Sequence, residues 1–221
     1  MTGITVITGG GRGIGLELAR QLKAKGHAVL VACRTRTDEL AALGVEFVDG
    51  LALDDSRSHA ALLGAIGTRR IELLVHNAGL LAGGKLESER EEDIAAQFRI
   101  NAMTPVLLTR ALLPVMAQPG KIAIITSRMG SISDNSSDGY YGYRMSKAAV
   151  NAAGVSLAHD LRDRGIAVAL LHPGFVRTRM TGGQGHLEPA ESARMLIERV
   201  EALTLENSGG FWHGDGTRLG W

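Results

Sequence analysis

The 221 residues, 45% apolar and 21% charged with a formal net charge of +1, are enough for a substantial core and exclude a disordered, coiled-coil or strongly basic nucleic-acid-binding chain. The single cysteine, Cys33, excludes an internal disulfide, and the seven histidines are scattered without metal-ligand spacing. No apolar run approaches the roughly 18 residues of a membrane span, so a soluble, unexported, cytoplasmic protein with no metal, nucleic acid or membrane partner is expected.

Residues 4–8 (I-T-V-I-T) are short, β-branched and uninterrupted, and they run into glycines that open an amphipathic stretch over 14–25. That reads as strand, turn, helix. Apolar runs at 28–33, after Gly26, and at 45–48, after Gly44, give the next two strands. Further strands are expected at 72–76, 121–127 and 166–172, with helices at 91–116 and 146–164 between them and a last apolar strand in F-W-H, 211–213. The runs are apolar on both faces, which suits a parallel sheet covered by helices on both sides. No linker, repeat or low-complexity tract interrupts them. The expected fold is α/β: one doubly wound domain over residues 1–221 with a mostly parallel, seven-stranded sheet.

In such a sheet a ligand sits beyond the carboxyl ends of the strands, where the first helix can receive a phosphate. Residues 8–15 (T-G-G-G-R-G-I-G) occupy that junction. Gly9, Gly13 and Gly15 do not fit G-x-G-x-x-G, but they fit T-G-x-x-x-G-x-G, a looser turn that lets backbone approach a pyrophosphate. A glycine turn alone also closes βα units that bind nothing. The second strand ends A-C-R, without the carboxylate that would accept from a ribose 2′-hydroxyl. Arg34 there and Arg12 in the turn offer planar guanidinium groups to a 2′-phosphate, favouring NADP(H) over NAD(H). The alternative is that both are solvated surface arginines.

Several motifs in order resemble the short-chain dehydrogenases/reductases nearly end to end, which implies a Rossmann-type fold. Besides the turn, where Gly9, Gly11, Arg12, Gly13, Ile14 and Gly15 would hold the cofactor, Asn77-Ala78-Gly79 is similar to the family's N-A-G segment, although His76 replaces a usual asparagine. Asp54 resembles the adenine-contacting aspartate. Asn101, Ser127, Tyr143 and Lys147 match the catalytic tetrad, and Tyr143 and Lys147 also meet the cofactor. P-G-F-V-R-T places Pro173, Gly174, Val176 and Thr178 at the nicotinamide end. Asn101, by the same resemblance, holds a water that links the lysine to solvent. Within the family, the loop inserted before Tyr143 and the terminal F-W-H-G-D-G-T resemble C-factor-like and sniffer-like carbonyl reductases.

The chemistry argues alongside the resemblance. Hydride addition to a carbonyl makes an alkoxide, so the site needs a proton donor and hydrogen-bond donors at that oxygen. Tyr143 and Lys147 are four apart, one helical turn, where an ammonium is expected to lower the phenol pKa. Tyr140 faces Arg144 and Tyr141 faces Met145 at that spacing, so neither competes. Ser127 is preferred to Ser131 because it directly follows an apolar strand. The short segment 181–187 (T-G-G-Q-G-H-L) implies an open pocket, with Met129, Tyr140, Phe175 and Met180 as candidate apolar walls. The expected activity is NADPH-dependent hydride transfer between nicotinamide and a carbonyl or secondary alcohol, by a homodimer or homotetramer paired through the helices bearing Asn101 and Tyr143. Alcohol oxidation, or an NADP(H)-binding sensor whose turnover is incidental, are the alternatives.

Overall fold

The structure, a computed structural model, describes residues 3–221. Seven strands, β1 (Gly3–Thr8), β2 (Val29–Ala32), β3 (Glu46–Val48), β4 (Arg70–His76), β5 (Met116–Ile125), β6 (Ile166–His172) and β7 (Phe211–His213), form one sheet. Its order is β3-β2-β1-β4-β5-β6-β7. All neighbouring pairs are parallel, not most of them. Helices α1 (Gly13–Ala24), α2 (Asp38–Leu43), α3 (Ser56–Ile66), α4 (Glu91–Phe98), α5 (Thr104–Leu112), α6 (Tyr141–Asp160) and α7 (Pro189–Glu201) make the crossovers.

The two-sided burial read from the sequence is visible along β6. Ile166, Val168 and Leu170 join Ile122, Ile124, Leu108 and Val150 on one face, while Ala167, Ala169 and Leu171 join Leu18, Leu22 and Leu196 on the other. The chain leaves β1 for β2 on one side and returns to β4 on the other. That switch in strand order brings the glycine turn and the N-A-G segment together at the carboxyl ends of β1 and β4, the end of such a sheet where ligands bind.

Three differences from the expected elements bear on the site. The helix expected over 91–116 is split by a single π turn, Arg99–Met103, which carries Asn101. The helix expected from residue 146 begins at Tyr141, so Tyr143 lies inside its first turn. Strand β5 ends at Ile125, and Ser127 stands beyond it as the cap of a short 3-10 turn, Arg128–Gly130.

Candidate active site

The threonine that opens the glycine turn knits this end of the sheet together. Thr8 Oγ1 donates to Val75 O at 3.3 Å and accepts from Asn77 N and Ala78 N at 3.1 Å each. Asn77 Nδ2 answers by donating to Thr8 O and Gly9 O, both at 3.1 Å. The approach leaves no room for side chains: a Cβ on Gly9, which also has φ 69°, would lie 2.8 Å from Ala78 Cα, and one on Gly15 would lie 2.6 Å from Gly9 O. Gly11 O accepts from Thr37 Oγ1 at 2.7 Å. Asn77 and Ala78 therefore hold the glycine turn in place.

The chemistry of this end suits a dinucleotide phosphate. Helix α1 has no acidic residue in its first turn to oppose an anion at its N-terminus. Gly13 and Ile14 open that helix, and Arg12 caps it. Arg12 and Arg34 are exposed and form no ion pair among the described residues. Asp54 is exposed too, immediately before Asp55, whose carboxylate caps α3 by accepting from Arg57 N at 2.9 Å. Opposite, the segment after β6 reaches across. A Cβ on Gly13 would lie 3.4 Å from Thr178 Cγ2, and one on Gly79 would lie 3.8 Å from Met180 Cε. Val176, buried, is bridged to Leu187, and Thr178 and Thr181 cap the turn between them reciprocally. Pro173 O accepts from Ser192 Oγ at 2.8 Å, tying this segment to α7, and Gly174 follows at φ 87°.

Tyr143 and Lys147 are both buried on α6. Lys147 Nζ donates to Ile125 O at 3.0 Å and lies 5.6 Å from the centre of the Tyr143 ring. Burial pushes the phenol up to about 12, against a smaller downward pull from a hydrogen bond with Ser127. Burial also pulls the lysine down to about 8. The expected lowering of the tyrosine pKa is thus reversed, because a charge on either group is penalised where water is excluded. Ser127 Oγ accepts from Met129 N at 3.1 Å, which orients the hydroxyl and leaves its own proton to donate. Ser131, its rival, is spent on the loop, bonding to Ser133 Oγ at 3.2 Å and accepting from Asp134 N at 3.1 Å.

Asn101 is buried and fully used. Its Oδ1 accepts from Leu80 N at 2.8 Å, and its Nδ2 donates to Leu80 O at 2.8 Å and to Ser146 Oγ at 3.0 Å. Ser146 Oγ in turn donates to Tyr143 O at 2.8 Å. Sequence reading missed Ser146, whose place one residue before Lys147, on the inner face of the helix, was the available signal. It also missed Gln97, buried, whose Oε1 accepts from Ala82 N at 3.0 Å and steadies the same loop. His172 ends β6 beside His213, ring centres 5.1 Å apart, and burial holds it neutral, down to about 3. Cys33 is a buried core residue with its thiol raised by burial.

A family model described as short chain dehydrogenase matches residues 3–188. The chain is 36% identical over 222 residues to 1-hydroxy-2-glutathionyl-2-methyl-3-butene dehydrogenase of Rhodococcus sp. (strain AD45), with 98% of each chain covered. It is 39% identical over 160 residues to C-signal of Myxococcus xanthus, covering 70% of this chain and 95% of that one. Among solved structures it is similar to the NADPH-bound carbonyl reductase from chicken fatty liver, with a TM-score of 0.89, 26% identity and 100% of both chains covered.

Proposed function

The chain belongs to the short chain dehydrogenase family, and from that premise we propose that it is an NADPH-dependent carbonyl reductase with Tyr143 as its proton donor. The observation that carries the reading is a buried phenol beside Ser127, with the buried Lys147 ammonium 5.6 Å from its ring and bonded to Ile125 O, at the carboxyl edge of the sheet. Gly9, Gly11, Arg12, Gly13, Ile14 and Gly15, with Asn77, Ala78 and Gly79, would hold the cofactor's phosphates and ribose. Arg34 would take the 2′-phosphate, Asp54 the adenine end, and Pro173, Gly174, Val176 and Thr178 the nicotinamide end. Bound there, NADPH supplies the hydride.

The chain's own residues do the rest. Ser127 donates a hydrogen bond to the substrate oxygen, and its orientation by Met129 N fixes where that oxygen sits. Tyr143 gives its proton to the same oxygen as negative charge develops there. Lys147, cationic below about pH 8, stabilises the phenolate left behind, and its bond to Ile125 O sets its place. Asn101 positions this turn of α6 through Ser146. Run in reverse, the same set oxidises a secondary alcohol, a direction supported by the name of the Rhodococcus relative.

A fluorescence titration with NADPH and NADH, followed by a panel of aldehydes and ketones, tests the reading. The expected result is tighter NADPH binding with consumption on a carbonyl, and a shift toward NADH in Arg34→Asp. Binding with no consumption in either direction across carbonyls and alcohols would move the protein to the sensor class. We also infer a single domain over 1–221, supported by the continuous sheet, and a homodimer or homotetramer, supported by Phe98, Met103, Tyr141 and Met145, all exposed on or beside α4 and α6. Light scattering at micromolar concentration should give two or four chains; a monomer would sink the oligomer. Cytoplasmic placement, supported by the use of NADPH and the unpaired Cys33 thiol, is read by cell fractionation.

A further inference from the structure

Tyr140 has φ 56° and ψ 40°, the one positive φ outside glycine among the described residues. That left-handed conformation crowds a side chain against its own backbone, and glycine alone adopts it freely. Loop docking forces it here. Tyr140 N donates to Gly84 O at 2.6 Å, and the preceding Gly139, at φ 73°, sits so close that a Cβ on it would lie 2.7 Å from the same oxygen. Arg144 clamps the loop from the helix side, donating to Gly139 O at 3.1 Å and to Ser137 Oγ at 2.7 Å. A glycine at 140 would meet every one of these backbone demands without strain. The chain carries a tyrosine instead, outside both core clusters and 41% exposed. Strain kept where folding gains little is a mark of a functional position.

The surroundings say which function. Tyr140 caps α6 three residues before Tyr143, and Gly84 belongs to the loop that continues from the N-A-G segment. Tyr140 therefore stands where the two loops flanking the proton donor are pinned together. Each of those loops leaves a large apolar side chain in the open, Leu86 on one and Ile132 on the other. We propose that Tyr140 is a specificity-determining residue whose ring is the platform for the flat apolar body of an aryl carbonyl. This assignment rests on the reductase reading.

Reduction of benzaldehyde and of propanal with NADPH, by wild type, Tyr140→Gly and Tyr140→Phe, tests it. The ratio of kcat/KM for the aryl over the alkyl aldehyde should fall about tenfold in Tyr140→Gly, through KM, and be retained in Tyr140→Phe. The Tm of Tyr140→Gly should equal that of wild type or exceed it by up to about 2–4 °C as strain is released. An unchanged ratio in Tyr140→Gly, an equal loss in Tyr140→Phe, or a Tm lower by more than about 4 °C would overturn the assignment. If wild type consumes NADPH with neither aldehyde, the reductase reading fails separately, and thermal shift then reads the platform directly. A benzaldehyde-induced Tm rise with NADP+ present should occur in wild type and vanish in Tyr140→Gly, whereas equal rises in both would overturn the proposal.

Discussion

Tyr143 and Lys147 stand one turn apart on α6, and burial moves the phenol to about 12 and the ammonium to about 8. At neutral pH the phenol therefore keeps its proton, the form in which the proposed donor must stand for carbonyl reduction. Tyr143→Phe keeps the ring and its packing and removes the hydroxyl, with its proton and its hydrogen bond to Ser127. Turnover should fall by about 10²–10⁴-fold with NADPH affinity within twofold of wild type, as measured by steady-state kinetics and fluorescence titration. Retained turnover would remove the tyrosine from the chemistry. These side chains were legible in the sequence because their spacing is local: four residues on a helix bring two groups to one face. Their proton affinities were not, because desolvation depends on everything packed around α6 and no spacing encodes it. Ser127 is preferred to Ser131 by its place after the strand, and Ser131 bonds within its own loop.

The π turn between α4 and α5 brings Asn101 to Leu80 and Ser146, each polar atom of its side chain paired. Asn101→Ala leaves Leu80 N–H and C=O without these partners in a part-buried place, a loss of about 1–3 kcal/mol. Denaturant unfolding should register it, and kcat should drop further than KM rises, because the turn of α6 bearing Tyr143 loses its brace. A variant of wild-type stability and kcat would remove Asn101 from the positioning role. A π turn inserts a residue without disturbing helical composition, which explains why 91–116 reads as one helix. Strand β5 begins five residues before the expected start at 121. Gln118, Pro119 and Gly120 break the apolar run, yet Met116 pairs with Ile71 beyond them, with a shift of register. Helix α2 is only six residues long, too short for an apolar period, whereas α7 has an amphipathic stripe through Ala193, Leu196 and Ile197 that sequence reading missed. Side-chain caps, Thr37 accepting from Leu40 N at 3.2 Å and Asp55 accepting from Arg57 N at 2.9 Å, start α2 and α3. By contrast β1, β2, β4 and β6 were plain, since strands covered on both faces have nothing to gain from polar residues.

Over the whole molecule, two buried histidines tie stability to pH. His76, bonded to Thr109 Oγ1 at 2.8 Å, and His172 are each pulled down to about 3 by burial, from an ordinary 6.5. Between those values the unfolded chain takes up protons that the folded one refuses, so this contribution is complete above pH 6.5 and is lost as pH falls toward 3. The slope approaches about 1.4 kcal/mol per pH unit for each histidine. Thermal melts from pH 7.5 to 5 should fall in Tm below 6.5, with a shallower slope in His76→Asn; equal slopes would exonerate that residue. The strand order carries a different consequence, for synthesis. Laid down from the N-terminus, β2 and β3 add outward on one side of β1, then β4, β5, β6 and β7 add outward on the other. Each strand emerging from the ribosome finds its neighbour already made, and none has to be threaded between two that have paired. A nascent chain can thus finish its phosphate-binding half before Ser127 and Tyr143 exist, and the sheet's open edge advances toward whatever is translated next.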